Sequence, residues 1–337
     1  MTKKIILFGG GRMGARFYQA IVSSGYELVA LVDPVQRPYI LDSSPELSSR
    51  LFENVEDVLD LEADAFVICT TADFHIPIAR KLIQAGKRRL IIEKPLSQSA
   101  ADAFELRTLA LSSGARVIVN HGRRYCSNTA LVKDLRDTSE LGSLRAIFIK
   151  SGGGALGCVG THWIDLCNNL MADAPLSVYA QLSDDQAPNI RGDQFYDPGG
   201  NVVMYYPDGR RAVIDSGDDV GILAGADFIF EKGAVQWQVE AESWLLRRRK
   251  REDSDKPLHM YGLALETTEL ETSVPDLIEY AKSALNDAFS DEKPISGLDE
   301  ACATMSVYSA ARASAKKGHP IALPLDDADA EACYQIP

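Results

Sequence analysis

The chain has 337 residues, 46% of them hydrophobic and 25% charged, with a formal net charge of −13. That size and mix suit a two-domain globular protein with a sizeable core, and the acidic balance argues against nucleic-acid or anionic-membrane partners, which need basic surface. Six scattered cysteines without a C-x-x-C pair suggest neither a metal site nor disulfides, and no apolar run reaches signal-peptide or membrane-spanning length, so the expected location is the cytoplasm.

In chain order, KIILFG reads as an apolar strand stopped by glycine, and GARFYQAIVSS as a helix with Phe17, Ala20, Ile21 and Ser24 on one face. ELVALVD is a second strand and DAFVICT a third. HIPIARKLIQAG is a helix opened by His75 and stopped by Gly86. RLIIEK, SAADAFELRTLALSSG and ARVIVNHG follow as strand, helix and strand. Alternating β and α segments with almost uninterrupted apolar strands predict a parallel sheet covered on both faces. Beyond about residue 125 the period shifts toward two. LRAIFIKS, PLSVYAQLS, GNVVMYYPDG, RRAVIDSG, DFIFEKG and AVQWQVEAESWLL predict an open, mostly antiparallel sheet, with hairpin turns at PDGR and EKGA. Residues 247–253, RRRKRED, read as a solvated turn or strand end. Helical spacing returns over 275–290 and 298–317, and DDADAEACYQIP reads as an acidic, exposed tail. The predicted architecture is α/β: an N-terminal Rossmann-type doubly wound domain, 1–122, and a C-terminal α+β domain, 123–337, whose final helix packs back on the first.

The chemistry starts at Gly9, Gly11 and Gly14, a G-x-G-x-x-G spacing that also holds Arg12 and Met13. It follows a strand and opens a helix. Gly9 permits the tight turn, Gly11 lets the backbone approach a pyrophosphate, and Gly14 lets helix and strand pack closely. The helix N-terminus adds amide donors and a positive dipole end. Asp33 ends the second strand, where an acid can accept from a ribose 2′-hydroxyl and would repel a 2′-phosphate. NAD is therefore favoured over NADP, with Arg37 as the residue that could offset that preference. Thr70 and Thr71 end the third strand, where a doubly wound sheet binds ligands. His75 reads equally as a cofactor contact and as a capping or packing residue.

These features, with Glu93-Lys94-Pro95, the run Asn120 to Tyr125 (NHGRRY) and the run Gly160 to Asp165 (GTHWID), resemble the glucose–fructose oxidoreductase/inositol dehydrogenase family, Gfo/Idh/MocA, over nearly the whole chain. The resemblance implies that Glu93, Lys94 and Pro95 end the strand beside the nicotinamide, often across a cis peptide. It implies that Lys94 stabilises an alkoxide and that His162 exchanges the hydroxyl proton. It also makes Asn120, Arg124, Tyr125, Cys158 and Asp165 candidates for the substrate side; Arg124, Tyr125 and Asp165 read equally as structural residues. Family members commonly carry Asp four residues before the histidine, where this chain has Cys158.

The function so implied is an NAD(P)-dependent oxidoreductase acting on the CH–OH group of a sugar, inositol or nucleotide sugar, assembled as a homodimer or homotetramer through the C-terminal sheet. The alternatives are a glycosidase that oxidises and restores its sugar on bound NAD, a reductase of a non-sugar carbonyl or imine, and a non-catalytic NAD-binding regulator.

Overall fold

The computed structural model describes residues 2–138, 140–183, 192–238, 243–253, 256, 263–271 and 276–336. Its first sheet is built from β1 (Lys4–Phe8), β2 (Glu27–Val32), β3 (Leu51–Phe52), β4 (Ala65–Ile68), β5 (Arg89–Ile92) and β6 (Arg116–Val119). All pairings are parallel and the order is β3-β2-β1-β4-β5-β6. Consecutive residues of a strand point to opposite faces, so the unbroken apolar runs serve two cores. Ile5, Leu7, Val67 and Ile91 face α1 (Arg12–Ser23) and α6 (Leu277–Phe289). Ile6, Phe8, Ile68 and Ile92 face α2 (Ala72–Gln84) and α3 (Ala100–Ser113).

The α2 helix starts at Ala72, with Thr71 as N-cap, rather than at His75. His75 therefore lies in its second turn and is 1% exposed. Ser24, expected on the buried face of α1, is instead that helix's C-cap and only half-buried.

After α4 (Ser127–Asp137) the chain builds a nine-stranded sheet from β7 (Leu144–Gly152), β8 (Ser177–Leu182), β9 (Gly200–Tyr205), β10 (Arg211–Gly217), β11 (Ala224–Phe230), β12 (Gly233–Gln238), β13 (Ser243–Arg249), β14 (Leu265–Leu270) and β15 (Ile321–Ala322). Among the described residues, the β7–β10 pair is parallel and the other pairs are antiparallel. The PDG and EKG turns join antiparallel partners as expected. The stretch 234–246, read as one strand, is two, β12 and β13, paired antiparallel; residues 239–242 between them lie outside the described residues.

One face of this sheet is covered by α5 (Thr161–Met171) and α7 (Leu298–Lys317), and α7 also packs on α3. The chain's second half thus covers both faces of the first sheet, through α6 and through α7 with α3. Two surface expectations hold for most residues, with Arg247, Lys250, Arg251 and Glu252 exposed at the end of β13 and Asp326, Asp327, Ala328 and Glu331 exposed in the tail, but each has buried members. Arg249 and Asp253 are each 8% exposed, because Arg249 bonds the carbonyls of Asp253 and Lys256. The acidic tail is anchored at two points: α8 (Asp327–Glu331) is tied to α7 by Lys317–Asp329, and Ile336 is 0% exposed. An isoleucine burial of that kind contributes about 1.5–3 kcal/mol, enough to hold a short tail in place.

Candidate active site

The glycine turn meets its steric requirements at two positions. Gly9 has φ +92°, and a Cβ there would lie 2.7 Å from the Cys69 carbonyl carbon. At Gly14 a Cβ would collide with the Gly9 carbonyl oxygen. Space is open around Gly11, the N-cap of α1, which makes no side-chain cap bond. The first-turn amides of α1 are therefore left for an anion. Arg12 is exposed and Met13 half-buried beside them. Asp33 closes the loop by accepting from Gly10 N at 2.7 Å and Val35 N at 2.8 Å. Arg37 is exposed and 3.5 Å from Asp42. A dinucleotide fits this cradle: small backbone, free amides and an acid at the second strand end.

At the ends of β4 and β5, the half-buried Thr70 and Thr71 lead into α2. His75 lies against Pro95 O at 2.9 Å through Nδ1 and against Thr70 O at 3.0 Å through Nε2. A neutral ring has one N–H, so it donates to one of these two carbonyls. Burial pushes its pKa down to about 4. Glu93 is 6% exposed and accepts from Asn120 Nδ2 at 2.7 Å, which joins β5 to the end of β6. The Lys94–Pro95 peptide is cis.

Lys94 crosses to the second half of the molecule, where its Nζ donates to Cys158 O at 2.6 Å. Cys158 sits in a π-helical turn, Leu156–Gly160, that leads directly into α5 and carries His162 at the start of that helix. Wide turns of this kind are frequent at functional sites because they re-aim the following residues. His162 is half-buried, its Nδ1 has no partner, and its ring lies edge-on to His121 at 6.3 Å. Burial depresses its pKa most, followed by the charges of Lys94 and Arg123. Burial likewise lowers that of His121. Asn120 Oδ1, His121 Nδ1, Arg123 Nε and Trp163 Nε1 are also buried without partners. Orphaned polar atoms gathered in one region mark a place where a ligand completes the hydrogen bonding.

The sequence put Arg124, Tyr125 and Asp165 on the substrate side; their partners here are other residues of the chain. Arg124 Nε lies 2.9 and 3.0 Å from the two oxygens of Asp165, which is 0% exposed, and Arg124 Nη1 reaches Asn169 at 3.3 Å. Thr304 of α7 also donates to Asp165. The Tyr125 hydroxyl donates to Asp287 of α6 at 2.8 Å. These contacts hold the turn after β6 against α5, α6 and α7.

Asp197 was not singled out from the sequence. It precedes Pro198 in the approach to β9, is 3% exposed, and accepts from Gly157 N at 2.6 Å and Cys158 N at 2.7 Å. Burial raises its pKa, opposed by those two amides and by the charges of Arg312 and Lys94. It therefore places a carboxyl group beside the turn on which Lys94 rests. An Asp before a Pro looks like any turn residue, so no local signal distinguishes it.

Comparison with known proteins agrees with this layout. Residues 3–121 match the model for the oxidoreductase family with an NAD-binding Rossmann fold, and residues 132–235 match the GFO/IDH/MocA C-terminal domain. Inositol 2-dehydrogenase of Rhizobium meliloti (strain 1021) is 26% identical over 234 residues, covering 64% of this chain and 69% of that protein. Two solved structures share the fold. The aldose-aldose oxidoreductase of Caulobacter crescentus complexed with glycerol has a TM-score of 0.77 at 17% identity, over 96% of this chain and 100% of that one. The WlbA dehydrogenase of Bordetella pertussis with NADH and UDP-GlcNAcA has a TM-score of 0.75 at 21% identity, over 97% of this chain and 100% of that one. With both halves matched by their own models and joined as in those structures, the chain belongs to the Gfo/Idh/MocA family of NAD-binding oxidoreductases.

Proposed function

We propose that the protein is an NAD-dependent dehydrogenase that moves a hydride between nicotinamide and a carbinol or carbonyl carbon of a sugar-like polyol. The observation that carries the reading is the meeting of Lys94 with the turn that presents His162, among buried polar atoms that lack partners. A bound nicotinamide would supply the acceptor or donor of the hydride. The chain's part is the proton. Lys94 is an ammonium with three donors, one of them on Cys158 O. In this reading it turns a donor to the substrate oxygen and stabilises the developing alkoxide. His162, kept neutral by burial and by neighbouring cations, accepts the hydroxyl proton in oxidation and returns it in reduction.

Asp33 supports NAD over NADP, since a 2′-phosphate would meet a carboxylate held by two backbone amides. The inositol 2-dehydrogenase similarity supports a polyol substrate. Six free cysteines suit a reducing cytoplasm, and no helix of the described residues is long and apolar enough to cross a membrane. Fluorescence titration should give a Kd for NADH at least about tenfold below that for NADPH, a gap of about 1.4 kcal/mol. A panel of inositols, aldoses, uronic acids and nucleotide sugars, followed at the NADH absorbance, should show turnover with one class. Lys94→Ala should lower kcat by about two to four orders of magnitude while NADH binding persists. Binding of neither nucleotide would remove the cofactor and the catalytic assignment together.

A further inference from the structure

Two adjacent arginines leave β6, and their surroundings differ. Arg124 is ion-paired with Asp165. The Arg123 side chain has no hydrogen bond or ion pair among the described residues, and its Nε is sealed from solvent without a partner. Its guanidinium carbon lies 3.7 Å from the ring centre of Trp163 and 5.2 Å from that of Trp237. The titratable groups acting on it are Tyr280 and Cys126, a phenol and a thiol rather than a carboxylate. Arg123 as a whole is half-buried, and the burial of its guanidinium lowers its pKa to about 10, so the group stays cationic at neutral pH.

Magnitudes show that this arrangement is incomplete. Stacking on aromatic faces returns about 2 kcal/mol when desolvated, whereas withdrawing an ion from water costs several kcal/mol. An anion supplied from outside would offset the difference. The nicotinamide end of NAD cannot supply it, because that ring is neutral or cationic and the cofactor's phosphates belong at the glycine turn. Trp163, on which Arg123 stacks, follows His162 directly, and the Arg123 charge reaches the His162 ring. The unpaired guanidinium is therefore a neighbour of the proposed proton-transfer group.

We infer that Arg123 is the anchor for a carboxylate on the substrate, so that the polyol oxidised or reduced here is a sugar acid of the aldonate or uronate class. A guanidinium fork matches a planar carboxylate with two parallel N–H···O bonds, and Trp163 Nε1, also without a partner, is a further donor beside it. A phosphomonoester carries about 1.5–2 charges and would call for a second unpaired cation. Lys94, the next cation, is already bonded to Cys158 O and is the residue assigned above to the reacting oxygen. As a statement about reaction the inference rests on the dehydrogenase reading; as a statement about binding it does not.

The test titrates the NADH-saturated protein with gluconate, glucuronate, glucitol, glucose and glucose 6-phosphate, reading the fluorescence of the three tryptophans, Trp163, Trp237 and Trp244, and repeats the series in Arg123→Gln and Arg123→Lys. The expected result is a Kd for one of the acids at least about tenfold below its neutral counterpart. That preference should be lost in Arg123→Gln and partly kept in Arg123→Lys. Equal binding of acid and neutral sugar by the unaltered protein would overturn the inference whether or not the variants fold. So would tighter binding of glucose 6-phosphate, no binding of either acid, or an acid preference that survives in Arg123→Gln. Acid binding that depends on Arg123 without turnover would keep the site and remove the dehydrogenase reading; turnover of neutral polyols without acid preference would do the reverse.

Discussion

His75 is a histidine whose ring is enclosed by its own chain. Its two ring nitrogens face the carbonyls of Thr70 and Pro95, and as a neutral ring with one N–H it donates to one of them. Its folded pKa, about 4, is below the ordinary 6.5 of the unfolded chain. The unfolded state therefore binds the proton first. The stabilisation is complete above about pH 6.5 and is lost as pH falls toward 4, by up to about 3 kcal/mol for this group. The lowered pKa values of His121 and His162 act in the same direction. Urea unfolding at pH 7 and pH 4.5 should show this loss, and His75→Gln should reduce the pH slope while lowering stability at pH 7. An unchanged slope in that variant would mean the acid sensitivity arises elsewhere.

Among the elements, the turn Leu156–Gly160 joins the two halves chemically. Its carbonyl at Cys158 takes Lys94, and its amides at Gly157 and Cys158 give to Asp197. A Cβ at Gly157 would lie 2.6 Å from Ile336 and 2.9 Å from Asp197 Oδ1, so the anchored tail and the acid both depend on that glycine. Asp197 is accordingly a positioning residue that acts through the turn. Asp197→Asn would set an amide N–H₂ against a backbone N–H and leave one of them unpaired, at about 1–3 kcal/mol. We expect kcat to fall about tenfold or more with a shifted pH profile and an unchanged Kd for NADH. A variant that loses stability alone, with kcat and its pH profile intact, would make Asp197 purely structural.

At the scale of the whole molecule, the nine-stranded sheet has one face under α5 and α7. Across its other face runs a register row in which Tyr179, Val203, Val213 and Phe148 are half-buried neighbours. A row of apolar side chains on an open sheet is what a second subunit covers. Light scattering should therefore give a dimer or tetramer mass, and Val213→Lys, opposite Phe148, should shift it toward the monomer. A monomer at micromolar concentration would remove the sheet as an interface.

Much of the fold was legible because its signals are local. Unbroken apolar runs separated by helical spacing can only be parallel strands buried on both faces, and a Gly9–Gly11–Gly14 turn between strand and helix constrains backbone and space at once. The cofactor cradle could be read that way, whereas the roles expected of Glu93, Lys94 and His162 rest on the resemblance of their motifs to the family. What tertiary structure decided was pairing across distance. Which of two adjacent arginines is neutralised depends on Asp165, about forty positions on in the sequence, and Asp197 reaches the turn at Cys158 from another loop. The same holds for the tail, which looks solvated by composition yet buries Ile336 against Gly157. Hydrophobic period and turn chemistry are properties of neighbouring residues and so are written along the chain. Desolvation and charge pairing depend on what the fold brings together, and those terms decide which groups of this site remain free to meet a substrate.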